Sequence, residues 1–308
     1  MKLHFFNDNK NFGDQLNPWL WRRLIPDLLE VEDDISLVGI GTILDHKIAK
    51  LDRKIIFGSG TGYAQCAPID NSWKILCVRG PLSASRLGID KSLAITDSAA
   101  LLAIVGPPKI VNTGKIIFMP HISSNEHCNW KLVCNRVGVT YLDPSLPVDY
   151  VLSSIASAEL VIAEAMHGAI VADTLRVPWA PVSLYPHINH FKWSDWCLSL
   201  GMTFNPVLID PIYRQFEAER GRHGVWTESR GLIGKIKRLP EQIRWGILHT
   251  AFEKRMRRRQ DNFCITLSEI MAGKGICLSD NLIFSSRVDQ LSQKLEELKT
   301  IHSSWVSN

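Results

Sequence analysis

The chain has 308 residues, 45% of them apolar and 21% charged, and a formal net charge of +4. That is the mix of an ordinary soluble globular protein, long enough for two domains. Its seven cysteines (Cys66, Cys77, Cys128, Cys134, Cys197, Cys264, Cys277) form no CxxC pair, which argues against a disulfide framework or a zinc site and fits a reducing compartment. The most apolar long stretch, 151–177, is broken by Glu159, Glu164 and Asp173, so no membrane span is expected. The first ten residues lack the apolar run of a signal peptide, and a cytoplasmic protein is expected.

Taken in chain order, short apolar runs alternate with helical patterns. Strands are expected at 3–6, 35–40, 54–57, 74–78 and 93–95, with helices at 14–24, 44–51, 81–87 and 98–104 between or after them. Pro81 suits the first turn of its helix, where a missing N–H costs nothing. GPPKIVNTG (106–114) reads as a linker, because two prolines and two glycines stop a helix there. Alternation then resumes, with strands at 115–119, 139–142, 160–163 and 182–184 and helices at 128–137, 148–156 and 165–175. Such alternation predicts an α/β chain with parallel sheets wrapped by helices. The expected organisation is two Rossmann-like domains, 1–110 and 111–205, with a cleft between them and a mostly helical extension at 206–308. Ligands of open α/β sheets bind where strands end and loops lead into helices.

The extension carries the charge. From Arg214 to Arg259 thirteen Lys and Arg face five Glu, a net +8 on a body of −4. Residues 235–259 read as a basic helix interrupted by Pro240, with Ile236, Leu239, Ile243 and Ile247 on one face. Such a helix either rests on anionic lipid headgroups or packs its apolar face on the body. A second helix is expected at 286–300, with Val288, Leu291, Leu295 and Leu298 on one stripe. The basic segment has no nucleic-acid docking motif, so no nucleic-acid partner is expected.

Several strand ends carry residues with chemistry. In Asn11-Phe12-Gly13-Asp14, Gly13 permits a tight turn, and Asp14 either N-caps the helix or presents a carboxylate to the cleft. Gly58-Ser59-Gly60-Thr61-Gly62 lets a backbone approach a ligand closely, but no Lys-Ser/Thr follows, so it is not a P-loop. Arg79, between a strand end and a helix N-terminus, suits a carboxylate or phosphate, or pairs with an acid of the other domain. His121 ends the first strand after the linker. His167, in Glu164-Ala165-Met166-His167-Gly168, is expected in the first turn of a helix facing the cleft, where an imidazole can act as general acid. Lys192 lies among aromatics in Phe191-Lys192-Trp193 and suits a phosphate. His187 and His190 have i, i+3 spacing but no evident third ligand, so no metal site is expected.

The NFGD turn, GSGTG, VRGPLSASRLG, the ITDSA segment around Asp97 and AEAMHGAIVADTLRVP together resemble the polysaccharide pyruvyl transferase family, most closely its succinoglycan-type branch, over roughly residues 1–205. The resemblance implies a GT-B-like pair of domains, phosphoenolpyruvate as donor substrate and no separate cofactor. It implies a lipid-linked or soluble oligosaccharide as acceptor; a contact of the basic segment 235–259 with the cytoplasmic face of a membrane would suit a lipid-linked one. It assigns donor binding to Arg79 and catalysis to His167. Asp14 is the candidate partner of the acceptor hydroxyl, and Lys192, His121, Gly13, Gly58, Ser59, Gly60 and Asp97 are candidate substrate contacts. Many members carry an arginine two residues before the histidine, and Ala165 stands there. The competing readings are a nucleotide-sugar glycosyltransferase of the same fold and a non-catalytic glycan- or membrane-binding module.

Overall fold

Short apolar runs become the strands of two parallel sheets. The central strands Ile35–Val38, Arg53–Phe57, Ala158–Ala163 and Trp179–Ser183 are buried almost throughout, and Lys2–His4, Thr140–Tyr141 and Val207–Leu208 at the edges are partly exposed. The computed structural model describes residues 1–7, 10–31, 33–107, 113–212 and 240–306. In the first sheet β1 (Lys2–His4), β2 (Ile35–Val38), β3 (Arg53–Phe57) and β4 (Trp73–Cys77) lie side by side in chain order. Leu3 pairs with Leu37, and Leu37 with Ile55. The helices of this lobe are α1 (Phe12–Leu24), α2 (Pro26–Glu30), α3 (Pro81–Leu87) and α4 (Leu102–Val105). α1 buries Phe12, Leu16 and Leu20, spaced by four, together with Trp21.

The second sheet has the order β6-β5-β7-β8-β9, all parallel. Its strands are β5 (Lys115–Met119), β6 (Thr140–Tyr141), β7 (Ala158–Ala163), β8 (Trp179–Ser183) and β9 (Val207–Leu208), and its helices α5 (Trp130–Asn135), α6 (Val148–Ala156), α7 (Met166–Thr174) and α8 (His190–Ser199). Two long helices close the chain, α9 (Glu241–Met271) and α10 (Asn281–Val306). The C-terminal half of α9 packs Phe263, Leu267 and Ile270 into the core of the second lobe with Phe118 and Trp130. α10 crosses back to the first lobe and sets Leu291, Leu295 and Leu298 beside β4 and the turn at Ser98–Leu101. No helix of the described residues is long and apolar enough to cross a membrane.

The pattern of elements differs from expectation where local hydrogen bonding outweighs hydrophobic period. Residues 44–51 hold only a 3-10 turn at His46–Lys50, started by Asp45, whose carboxylate accepts from Lys47 N (2.8 Å). Asp97 starts a second 3-10 turn at Ser98–Leu101 that runs on into α4. Residues 93–95 give only an isolated parallel bridge, Val78 to Ala94. β9 lies beyond the strand at 182–184, which was expected to be the last. Pro240 is the N-cap of α9, and residues 235–239 and the centre of the linker, 108–112, lie outside the described residues.

One apolar core joins the sheets. It runs from Leu37 and Phe57 of the first to Val161 and Ala163 of the second, by way of Ile170 and Val171 of α7. Apart from His167, every residue of α7 is buried, and its small side chains allow the close approach a helix between lobes requires. A cleft between the lobes is lined by Asn7, Lys10 and Gln15 of the first and by Ser145, Leu146, Pro147 and Val148 of the second.

Candidate active site

β7 ends at Ala163, and the turn through Glu164 into α7 sets His167 against the first lobe. The imidazole lies against Gly13 in the first turn of α1, so closely that a Cβ at position 13 would collide with Nδ1 and Cγ. This close approach explains the glycine, which has no need of a left-handed backbone here. The Nε2 atom faces Asp97 Oδ2 at 3.9 Å, and the His167 side chain keeps 15% of its surface exposed. Burial, reinforced by the nearby charges of Lys192 and Arg79, pushes the imidazole down to about 3. Burial pushes Asp97 up to about 6, against the Arg79 charge and the Ala99 N–H bond and with help from Asp195. Asp14 sits in the same cluster. Burial raises its carboxyl, although Asn11 Nδ2 donates to it (2.7 Å) and Lys192 attracts it. Asp14 is not the N-cap of α1. That place belongs to Asn11, and Asp14 stands three residues into the turn. Lys192, nearly buried in α8, donates from Nζ to Tyr63 Oη (2.9 Å) and lies over the same ring. The charge of Lys192, on the second lobe, thus reaches both the imidazole and the Asp14 carboxyl.

A few residues away a second charged contact holds the lobes together. Arg79 leaves β4 fully buried and donates from Nε to Asp195 Oδ2 (3.0 Å), from one terminal nitrogen to Thr42 Oγ1 (2.7 Å) and from the other to Thr61 O (2.9 Å). Asp195 of α8 also accepts from the backbone of Leu82 and Ser83 (both 2.9 Å) and from Ser83 Oγ (2.5 Å), and so caps α3 from the opposite lobe. Gly80 is required because a Cβ there would strike the Asp195 backbone.

The family profile of polysaccharide pyruvyl transferase matches residues 4–184, more than half of the chain. The chain belongs to the polysaccharide pyruvyl transferase family. It is 40% identical over 225 residues to succinoglycan biosynthesis protein ExoV of Rhizobium meliloti (strain 1021), an overlap of 71% of this chain and 70% of the relative. No solved structure matches it.

In this pyruvyltransferase the remaining candidate residues are placed as follows. Gly58 has φ 77° and packs against Ser98 N, while Gly60 makes room for the Arg79 guanidinium. Ser59 Oγ donates to Val38 O (2.9 Å) and to Gly39 O. The glycine-rich turn is thus filled by the protein's own groups. His121 N-caps a short turn through Nδ1, which accepts from Ser123 N (3.1 Å), and its ring lies 5.2 Å from that of His187. The buried Glu164 holds the ends of β5 and β8 together, accepting from His121 N (3.0 Å) and Leu184 N (3.3 Å). Ala165 is buried. Among the described residues no three His, Cys, Asp or Glu side chains converge as a metal set. Sequence reasoning missed Asp195 as the partner of Arg79, Tyr63 as the partner of Lys192, and Asn17. The buried Asn17 side chain both accepts from Ile40 N (2.8 Å) and donates to Ile40 O (2.9 Å), fixing the loop after β2. Each partner is far away in sequence, and no local pattern marks it.

Proposed function

We propose that this pyruvyltransferase uses phosphoenolpyruvate as donor and joins its pyruvyl carbon to two hydroxyls of one sugar in an exopolysaccharide precursor, forming a pyruvate ketal and releasing phosphate. The relative's part in succinoglycan biosynthesis supports an acceptor of that class. The observation that carries the chemistry is the His167 imidazole, set against Gly13, beside Asp14 in the chain, and facing Asp97, with the charge of Lys192 reaching both His167 and Asp14. Burial, reinforced by the neighbouring cations, keeps the ring neutral. Donor carboxylate and phosphate charges offset those cations, so the ring takes up a proton as the donor binds. His167 then delivers that proton to the methylene carbon of the enol, and the first sugar hydroxyl adds to the adjacent carbon as Asp14 removes its proton. The second hydroxyl displaces phosphate, which leaves with the second proton. Lys192 holds the donor anion. Arg79, committed to Asp195, contributes its field from behind.

The two lobes are read as a GT-B-like pair that holds the donor between them. The basic stretch at 235–259 is read as the contact with an anionic cytoplasmic membrane surface, where a lipid-linked acceptor resides; Arg257 and Arg258, at its described end, are exposed. The test is phosphate release from phosphoenolpyruvate with extracted lipid-linked oligosaccharide. His167→Gln should stay folded and lose about 10²–10⁴-fold in turnover. Thermal stabilisation by sugar nucleotides but not by phosphoenolpyruvate would overturn the donor. Failure to cosediment with anionic vesicles at low salt would remove the membrane contact.

A further inference from the structure

The two nitrogens of His167 face different surroundings. Nε2 points at Asp97 Oδ2, both atoms are shut off from solvent, and neither has a hydrogen-bond partner. Their separation of 3.9 Å is roughly 1 Å too long for a hydrogen bond. Leaving a buried donor and acceptor unmade is costly, and a fold retains such a pair where function uses it. Asp97 has no freedom to turn away: it is wholly buried, and Oδ1 accepts from Ala99 N (3.0 Å) at the start of the turn it caps. The exposed part of the ring excludes Nε2. Nδ1, which lies over Gly13 in the turn that carries Asp14, is therefore the nitrogen within reach of a ligand. The charged groups acting on the ring are Arg79 of the first lobe and Lys192 of the second; Lys192 also acts on Asp14, and Asp195 on Asp97.

We propose that Asp97 is the positioning residue for His167: it holds a proton on Nε2, so that Nδ1 is the atom that exchanges a proton with the substrate. Asp97 belongs to the first lobe and His167 to the second. The bond forms when a bound donor shifts the imidazole by the missing distance, which ties proton transfer to occupancy of the site. A carboxylate at Nε2 also stabilises the imidazolium that the proposed acid step needs, which a neutral amide does not. The assignment rests on the reading of His167 as the acid.

The experiment compares Asp97→Asn, His167→Gln and the double variant in the full-length protein with phosphoenolpyruvate and acceptor. Asp97→Asn should lower kcat about 10²-fold or more with little change in the KM for phosphoenolpyruvate. The alkaline limb of its kcat–pH profile should move to lower pH, because the imidazolium has lost its counter-charge. The double variant should be no slower than His167→Gln alone. An inactive His167→Gln beside an Asp97→Asn with wild-type kcat and an unmoved alkaline limb overturns the role of Asp97 and leaves that of His167 standing. A fully active His167→Gln overturns the reading of His167 first. Where Asp97→Asn does not fold, ¹⁵N spectra of histidine-labelled protein decide, the His167 signals being those missing in His167→Gln. The Nε2–H tautomer is expected in the wild type, and an Nδ1–H tautomer overturns the proposal.

Discussion

The Arg79–Asp195 and His167–Asp97 contacts both cross from one lobe to the other, both are buried, and both begin at strand ends. They are completed to different degrees. Asp195 receives an arginine, two backbone N–H groups and a hydroxyl, and Arg79 has further bonds to Thr42 and Thr61. His167 and Asp97 stand 3.9 Å apart with their facing atoms unbonded. A buried ion pair whose bonds are all made fixes how two bodies meet. A buried acid–base pair left short of contact retains the capacity to react. The arginine nonetheless acts at both, since its charge reaches Asp97 and His167 through the protein.

The contrast is broken most severely by Asp195→Ala. It leaves a buried guanidinium without its counter-charge and uncaps α3, and should cost about 3–5 kcal/mol of unfolding free energy in urea. A cost under about 1 kcal/mol would show that the clamp does not hold the lobes. Gly13→Ala acts on the other contact. The added methyl displaces the imidazole, and misplacement of a catalytic group by about 1 Å lowers turnover about 10²-fold. Unfolding should change little, because alanine suits a helical first turn. Unaltered kcat would mean that the seat of His167 on α1 is irrelevant to catalysis. Lys192→Met sharpens the division between anchoring and chemistry: calorimetry should show phosphoenolpyruvate binding weakened about tenfold, the worth of one charge-assisted hydrogen bond. Unchanged affinity would remove Lys192 from the donor site.

How much of this was legible in the sequence follows from the range of the interactions. The helices at Pro81–Leu87 and Val148–Ala156 and the strand at Lys115–Met119 have the bounds that hydrophobic period and glycine–proline punctuation predict, because their determinants are local. The turns started by Asp45 and Asp97 were not legible as 3-10 turns, since a single side-chain bond to the backbone decides them. His167 was placed correctly after a buried strand, at the second residue of α7. Its partner was not. Asp97 entered through resemblance alone, and nothing in ITDSA shows that its second oxygen faces an imidazole 70 positions away. The pairing of Arg79 with Asp195 spans 116 positions. In FKWSDW the lysine drew attention and the aspartate did not, although only the folded lobes reveal which of the two is the clamp.

The remaining expected effect is a slope, small per pH unit, and it separates the two members of the reactive pair. His167 is held at about 3 in the folded protein against an ordinary 6.5. Between those values the unfolded chain binds the proton that the folded one refuses, so this histidine makes stability fall as pH is lowered through that window. Asp97 is held at about 6 against 3.8. Between those values the folded protein binds the extra proton, so this carboxyl makes stability fall as pH is raised. Each slope is at most about 1.4 kcal/mol per pH unit, and from about pH 4 to 6 they oppose each other. Urea unfolding of His167→Gln should therefore show a stability that gains on the wild type as pH drops from 6.5 towards 4. Asp97→Asn should gain on it as pH rises over the same interval. Parallel curves for wild type and both variants would mean that the pair is screened by solvent. The imidazole and the carboxyl would then be two ordinary surface groups, and the difference between the clamp and the reactive contact would vanish.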